Sequence, residues 1–367
     1  MIIRRILLGM MCLLMARAAG AAIASDQAAA LLVYPVIYVV PNDGIDTLVQ
    51  LSNTSDQPID VHCFYVNANG HCSDSGDPCY SGADCTAGLC IPGWNETDFH
   101  VHLTARQPVA WTASEGLSVC SSIMSSDDCF PLDGIARRGV NGESNAGSRV
   151  PPVAETPFVG ELKCVAVDDQ RHPVESNVLV GSATIVQLQP GTGFLDVTRE
   201  NAIGLAAIPN TNNGDSTLRL GEEYEPCPNT LILNHFFDEA TSPAFPETNH
   251  GVLALVPCSE DFNQQIPKSV VAQFLVFNEF EQRFSTSTRV DCYGLRSLSN
   301  IDTGQPLRSI FNVGVAGSLV GQTRITGVGA GGHGLLGVFF NAATDGSAGV
   351  NLHFQGVSSA PDVIQLP

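Results

Sequence analysis

The sequence predicts an all-β protein made of two antiparallel β-sandwich units. Short segments in which β-branched or aromatic residues alternate with polar ones recur along the chain, among them 47–51, 59–65 and 99–103. The chain places 35 glycines and 22 prolines between apolar segments, and no long stretch has the period of an amphipathic helix. Many short strands separated by turns are typical of immunoglobulin-like sandwiches rather than of parallel α/β sheets.

An internal repeat is the reason for predicting two units. Residues 48–64 read as an apolar strand, an asparagine at a polar turn, and a second strand with an inward cysteine. Residues 274–293 have the same pattern with a longer turn, and residues 160–168 have a weaker counterpart in residues 334–340. Two related sandwiches are the prediction. The alternative is chance similarity between alternating strands, which all resemble one another at this level.

The predicted boundaries follow from this repeat and from changes in composition. The first unit spans residues 25–225 and the second spans residues 226–367. The first unit carries a Cys-rich insert at 67–95, which is too small and polar to form a core of its own and therefore depends on disulfides. It also carries a stretch rich in glycine, serine, asparagine and proline at 134–157, which is expected to be flexible.

The N-terminus has the three-part pattern of a secretory signal peptide at residues 1–24. Arg4 and Arg5 precede the apolar run 6–16, and small residues at 21–25 form a cleavage site. The run is shorter than the ~20 residues that a membrane-spanning helix needs, and no comparable run follows it. The mature chain is therefore expected to be exported without a transmembrane segment.

Eleven cysteines remain after cleavage, and in an exported chain they indicate a disulfide framework with one thiol left over. None of them forms a Cys-x-x-Cys pair, which is unfavourable for a thioredoxin-like or a tetrathiolate zinc site. Cys72, Cys79, Cys85 and Cys90 of the insert are expected to pair among themselves, in a connectivity that the sequence leaves open. The other cysteines predicted in disulfides are Cys63 with Cys164, Cys120 with Cys129, and Cys258 and Cys292.

The charge balance argues against nucleic acid as a partner. The formal net charge is −20, and removal of Arg4, Arg5 and Arg17 with the leader takes it to −23. Nucleic-acid binding requires a basic surface that displaces counterions from phosphates, and an acidic chain with scattered arginines does not provide one. A protein or carbohydrate surface is the expected kind of partner.

One group of histidines has a spacing suited to metal binding. His100 and His102 leave the same face of a strand with Cα atoms about 7 Å apart, and His62 has the same phase on another strand. If the two strands are neighbours, His62, His100 and His102 share one surface and could bind zinc. The competing interpretation is a solvated polar face. Calcium is a second possibility, at acidic residues of the insert that the alternative interpretation assigns to turns. The candidates for calcium are Asp74, Asp77 and Asp84.

The common hydrolase motifs are missing. The chain contains no Gly-x-Ser-x-Gly elbow and no His-Glu-x-x-His helix. A carboxylate pair for glycoside cleavage has no fixed sequence spacing, so a secreted carbohydrate-active hydrolase stays an alternative. Two carboxyl groups facing each other across a deep cleft would favour it.

The leading functional prediction is a non-enzymatic structural or binding protein stabilised by disulfides, with no cofactor unless zinc or calcium binds. The leader, the immunoglobulin-like strands and the Cys-rich insert together resemble exported or surface proteins of Gram-negative bacteria. This resemblance implies a secreted, periplasmic or cell-surface location. The hydrolase and a metal- or calcium-dependent adhesin are the alternatives.

Overall fold

A computed structural model describes most of the chain, namely residues 27–79, 85–91, 93–117, 149–188, 195–241, 248–329, 332–343, 346–358 and 361–367. The leader and the expected Cys120–Cys129 bond lie outside these residues. Strands predominate in the described part, where the one α-helix, α1 (Val313–Ala316), is a single turn. None of the described helices has the length and hydropathy of a membrane span. The all-β prediction is confirmed.

The strands of the N-terminal part form two antiparallel sheets and a small insert sheet. Sheet A has the order β12-β1-β9-β3-β7, sheet B has the order β11-β10-β2-β8, and the insert sheet has the order β5-β4-β6. The strands are β1 (Leu31–Val39), β2 (Ile45–Asn53), β3 (Ile59–Asn67), β4 (Gly70–Cys72), β5 (Pro78–Cys79), β6 (Cys90–Ile91), β7 (Asn95–Leu103), β8 (Pro108–Thr112), β9 (Phe158–Val167), β10 (Leu179–Leu188), β11 (Leu195–Asn201) and β12 (Ile203–Leu205).

The strands of the C-terminal part form sheets C and D and a junction sheet. Sheet C has the order β18-β17-β20-β14-β23, sheet D has the order β19-β15-β21-β22, and the junction sheet has the order β13-β24-β16. The strands are β13 (Thr217–Leu220), β14 (Thr230–Phe236), β15 (His250–Pro257), β16 (Glu260–Asp261), β17 (Ser269–Asn278), β18 (Arg283–Asp291), β19 (Gly294–Ser297), β20 (Val320–Val328), β21 (Leu335–Ala343), β22 (Gly346–Asn351), β23 (His353–Gln355) and β24 (Asp362–Gln365).

Sheets A and B face each other, as do sheets C and D. In the first core, the Trp111 indole N–H donates to the Tyr65 hydroxyl at 2.6 Å, which joins sheet B to sheet A. In the second core, Phe274 of sheet C and Phe339 of sheet D belong to one buried cluster. The sandwich-like layering that the sequence predicts is therefore present. The immunoglobulin-like assignment stays a prediction.

The two sandwiches have the same topology. The comparison leaves out the insert and junction strands and matches the others in chain order, β1–β3 and β7–β12 with β14, β15 and β17–β23. Under this matching, sheet A corresponds to sheet C and sheet B corresponds to sheet D. All seven strand pairings of the first sandwich recur, and all are antiparallel in both. Nine strands thus repeat with an identical order.

The repeat is displaced by one strand from the sequence prediction. The sequence pattern matched β2 and β3 with β17 and β18, whereas the topology matches β3 with β17 and β7 with β18. A strand–turn–strand repeat predicts that β3 pairs with β2, but β3 pairs with β7 and β9, and β2 belongs to the opposite sheet. Period-two alternation causes the error, because it is the same in every half-buried strand.

Cys292 is consequently not the counterpart of Cys63. Cys63 lies within β3, whereas Cys292 follows the last residue of β18 and has a φ of 53°. Both side chains are buried, and Cys292 is a free thiol. The prediction that Cys292 forms a disulfide is wrong, whereas the predicted disulfide of Cys258 is present and joins it to Cys227. Cys63 bonds to Cys164 as expected.

The insert is held by its own disulfides, as the sequence predicts. The bonds are Cys72–Cys85 and Cys79–Cys90. Residues 149–157 of the expected flexible stretch lie against this region, while residues 134–148 lie outside the described ones. The expected flexibility stays a prediction. Val153 is buried, and the Glu155 carboxylate accepts hydrogen bonds from the Asn67 and Asn69 amides at 2.6 and 2.8 Å.

The two sandwiches pack on each other through sheets A and D. All ten residues of β9 are buried, because sheet A is covered on both faces. Val36 of β1 clusters with Ala254, Val338 and Phe340 of sheet D. The junction sheet crosses the predicted boundary at residue 225, since β13 pairs with the C-terminal β24. The boundary itself stays a proposal.

Candidate metal centre

The candidate site lies on β3 and β7, at one edge of sheet A. The two strands pair antiparallel, with His62 directly opposite His100. Side chains two residues apart on a strand share a face, so Asp98 lies on the same face as His100. Potential ligand atoms of His62, Asp98 and His100 all lie within 4.8 Å of one another. We call these three residues the His–Asp cluster.

The cluster is held together by a ring stack and a hydrogen bond. The imidazoles of His62 and His100 are stacked with centroids 4.0 Å apart. His62 Nε2 lies 2.9 Å from Asp98 Oδ2, and His62 is 4% exposed. The Nε2 atom of His100 is buried and has no hydrogen-bond partner among the described residues. Nε2 of His100 is thus a cluster atom whose lone pair or hydrogen is left without a hydrogen bond to the described residues.

Both imidazoles are kept neutral. Burial lowers the pKa of His62 to about 4, although the hydrogen bond that its ring donates to the Asp98 carboxylate opposes this, and the neighbouring His100 adds to the lowering. Burial also lowers the pKa of His100, and the Arg171 guanidinium adds to that effect. Only the neutral imidazole can act as a metal ligand. At neutral pH the cluster therefore presents two imidazoles and one carboxylate.

His102 takes a different place from the one that the sequence suggested. It shares the face of His100, but its Nδ1 lies 2.8 Å from Asp60 Oδ1 of β3, and it is not part of the cluster. The structure therefore brings together His62 and His100 of the predicted trio and replaces His102 with Asp98. Metal binding itself stays a prediction.

The two acidic partners, Asp60 and Asp98, were not among the residues predicted for the site. Asp60 lies two residues before His62, and Asp98 lies two residues before His100, so each has the phase of the histidines. That period-two relation was visible in the sequence. Which histidine meets which carboxylate was not visible, because it depends on the register between β3 and β7.

The segment between β16 and β17 approaches the face that carries the cluster. The ring centroids of His62 and Phe64 are 4.2 Å apart, and Phe64 stacks on Phe262 with ring centroids 4.3 Å apart. On β7, the Glu96 carboxylate accepts a hydrogen bond of 3.4 Å from the Gln265 amide. Burial, together with nearby Asp98, raises the pKa of Glu96 to about 7. Glu96 lies two residues before Asp98 and therefore adds a second carboxyl group to the same face of β7.

Other groupings of potential ligands are less suitable. Two further groups consist mainly of disulfide sulfurs, which have no thiolate to offer: one contains Cys72, Cys79 and Cys85, and the other contains Cys227, Cys258 and Asp362. Of the suggested calcium ligands, Asp84 lies outside the described residues. Asp74 accepts a hydrogen bond from the Ala87 amide at 2.7 Å, as turn-forming aspartates do.

Four cavities in the described part of the chain bear on the hydrolase alternative. Among the described residues, the cavity between sheets C and D has Glu279 as its one carboxyl group, and the cavity beside the insert has Asp291. No carboxyl group of a described residue lines the other two. Nothing in these four cavities favours a pair of catalytic carboxylates.

Comparisons with known proteins do not extend these observations. No protein-family model matches the chain, and no curated protein matches it significantly.

Proposed function

We propose that this chain is an exported, non-enzymatic structural or binding protein whose His–Asp cluster binds a divalent transition-metal ion. The observation that carries the metal assignment is the convergence of two neutral imidazoles and one carboxylate within 4.8 Å. Nε2 of His100, which has no hydrogen-bond partner in the described part of the chain, supports it, because a buried nitrogen without a partner costs free energy that a metal bond would recover.

Zinc and copper fit this donor set better than calcium. Imidazole nitrogen is a preferred ligand of both transition metals, whereas calcium selects oxygen ligands in larger number. A metal ion would take the place of the proton between His62 and Asp98, and the His62 imidazole would then carry its hydrogen on Nδ1. Water completes the coordination of a site with three protein ligands.

Titration calorimetry with zinc chloride near neutral pH tests this proposal. We expect one ion per chain, and a loss of roughly tenfold or more in affinity for His100→Ala and for Asp98→Asn. His102→Ala is the matched control, since it removes a histidine of the same strand face that lies outside the cluster. Binding that survives His100→Ala unchanged, or that depends on His102, contradicts the proposal.

Export rests on a different observation. The leader at 1–24 and the four disulfides among the described residues support an oxidising compartment. N-terminal sequencing of the protein from its host should give a mature chain that begins at Ser25 and is found outside the cytoplasm. A retained leader with reduced cysteines contradicts export. The Gram-negative host is part of the same proposal.

A further inference from the structure

A charged cluster lies buried where sheet A meets the junction sheet. The chain has two lysines, Lys163 and Lys268, and Lys163 of β9 is completely enclosed. Its Nζ donates to Glu161 Oε1 at 2.7 Å and lies 3.5 Å from Glu260 Oε1 of β16. The side chains of Lys163, Glu161 and Glu260 are 1%, 0% and 0% exposed. Water is thus excluded from an amine and two carboxyl groups in contact.

The polar atoms of this cluster are incompletely paired. Glu161 Oε2 and Glu260 Oε2 are both buried without a hydrogen-bond partner among the described residues. The third neighbour of Nζ is the carbonyl oxygen of Pro257 at 3.4 Å. Ionised groups that are desolvated and only partly hydrogen-bonded are costly, even when they are paired. The arrangement would therefore be stabilised by any change that removes charge and an unpaired oxygen.

The two carboxyl groups differ in their relation to the amine. Burial raises the pKa of Glu260 to about 8, because its distance from Lys163 leaves the loss of water only partly compensated. The carboxylates raise the pKa of Lys163 despite its burial. Burial also raises the pKa of Glu161, but the charge of Lys163 and the short hydrogen bond from its Nζ oppose this, so Glu161 rather than Glu260 is the ionised partner of the ammonium. The resting cluster thus holds an ammonium, a carboxylate and a neutral carboxylic acid. A neutral acid is an electrophile, whereas a carboxylate is not.

We propose that Lys163 Nζ and Glu260 Cδ become joined in an intramolecular amide bond, with Glu161 as the proton-transfer group. Nζ passes one proton to Glu161 across their hydrogen bond and attacks Glu260 Cδ, which forms the C–N bond. A second amine proton then leaves with the Glu260 hydroxyl as one molecule of water, and the C–O bond breaks. The products are a neutral amide, a protonated Glu161 and water, so charge and atoms balance without an oxidant or a cofactor.

The product relieves both defects of the cluster. One carboxyl oxygen of Glu260 departs with the water, and the ion pair disappears from the dry interior. The remaining amide N–H can donate to Glu161 or to the Pro257 carbonyl, both of which already neighbour Nζ. The bond would tie β9 of the first sandwich to β16 of the junction sheet, 97 residues further along the chain. Such a crosslink suits a protein that must survive outside the cell.

Intact-mass spectrometry of the purified mature protein tests this, after full reduction of the disulfides and sequencing of the N-terminus. We expect a mass that is lower than the sequence mass by one water, and a crosslinked peptide that contains Lys163 and Glu260. A mass equal to the sequence mass overturns the proposal, and so does a crosslink that maps to Glu161.

Variants separate the roles of the three residues. Lys163→Met and Glu161→Gln should keep their full sequence masses, and Glu260→Gln should lose one ammonia in place of one water, because the leaving group changes. Lys268→Met is the matched control, since Lys268 is the other lysine and should leave the loss of water intact. Loss of water in Glu161→Gln at the wild-type yield overturns the role of Glu161. Because the wild-type mass is itself decisive, a variant that fails to fold does not prevent the test.

Discussion

His235, in β14, should make the protein less stable in acid. The residue is buried, with Nδ1 3.0 Å from the carbonyl oxygen of Phe236 and Nε2 2.9 Å from Thr323 Oγ1. A carbonyl oxygen only accepts, so Nδ1 carries the hydrogen and Nε2 accepts from the Thr323 hydroxyl. This neutral form satisfies both nitrogens. Burial accordingly lowers the pKa of His235 to about 4.

The size of the effect follows from the difference between the two states. In the unfolded chain a histidine titrates near pH 6.5, so between about pH 6.5 and 4 the unfolded state binds a proton that the native state does not. The contribution to stability is therefore complete above about pH 6.5 and is lost as the pH falls through the folded pKa. Integration gives a loss of about 2 kcal/mol on going from pH 7 to 5, and of about 3 kcal/mol on going to pH 4.

Urea unfolding of the wild type and of the His235→Gln variant at pH 7, 5 and 4 measures this loss of stability. Glutamine keeps a donor and an acceptor but does not titrate, so the stability difference between the two proteins should change by about 2 kcal/mol from pH 7 to 5. The two proteins must be compared because buried carboxyl groups, which are present in both, make the fold more stable in acid. Burial raises the pKa of one of them, Glu200, well above its usual value. An identical pH dependence in wild type and variant would refute the reasoning.

Three further predictions concern the site and its support. Zinc binding should persist to about pH 5, because the pKa of His62 is about 4, and a midpoint near the ordinary histidine pKa in calorimetry would contradict this. Replacement of both Cys63 and Cys164 by alanine should lower the free energy of unfolding by ~4–5 kcal/mol in urea, since their bond closes a loop with a sequence separation of 101. Phe262→Ala should cost about 3–5 kcal/mol, because Phe262 is buried and stacks on Phe64, and Phe262→Leu should cost less.

The sequence predicted the fold class because alternation reports local burial. Residues 47–51, 59–65 and 99–103 all fall within strands, namely β2, β3 and β7. Alternation contains no information on which strand lies beside which, so the repeat was recognised but displaced by one strand. The strand order is decided by non-local packing and by turns, and a pattern of period two is insensitive to both.

The candidate site was predictable in part for the same reason. His62, His100 and His102 were placed on one face by their phase, and the structure confirms that β3 and β7 are neighbours. Register then decided that Asp98 joins His62, while Asp60 engages His102. The sequence could list these carboxylates as candidates of the right phase, but it could not pair them.

The cluster of Lys163, Glu161 and Glu260 could not be predicted from the sequence. Glu161 and Lys163 interrupt an otherwise apolar segment, and all ten residues of that strand, β9, are buried. A strand of that kind is unusual, because charged residues are rarely enclosed unless they are paired. Their partner Glu260 comes from a two-residue strand that only the packing of the two sandwiches brings to β9. No periodicity connects positions so far apart.

The duplicated topology separates what the backbone requires from what the side chains add. β7 carries Asp98 and His100, whereas its counterpart β18 has no histidine and presents arginine, serine and one aspartate, Asp291, at its exposed positions. The same strand order is therefore maintained by strands of quite different chemistry, since main-chain pairing and an apolar inner face suffice for it. The His–Asp cluster consequently belongs to one copy of the repeat alone, and the lysine cluster combines β9 of the first copy with β16 of the junction sheet. A ligand specific to this protein should therefore bind on sheet A. Substitutions of the side chains of sheet A that leave the strand order intact should abolish its binding.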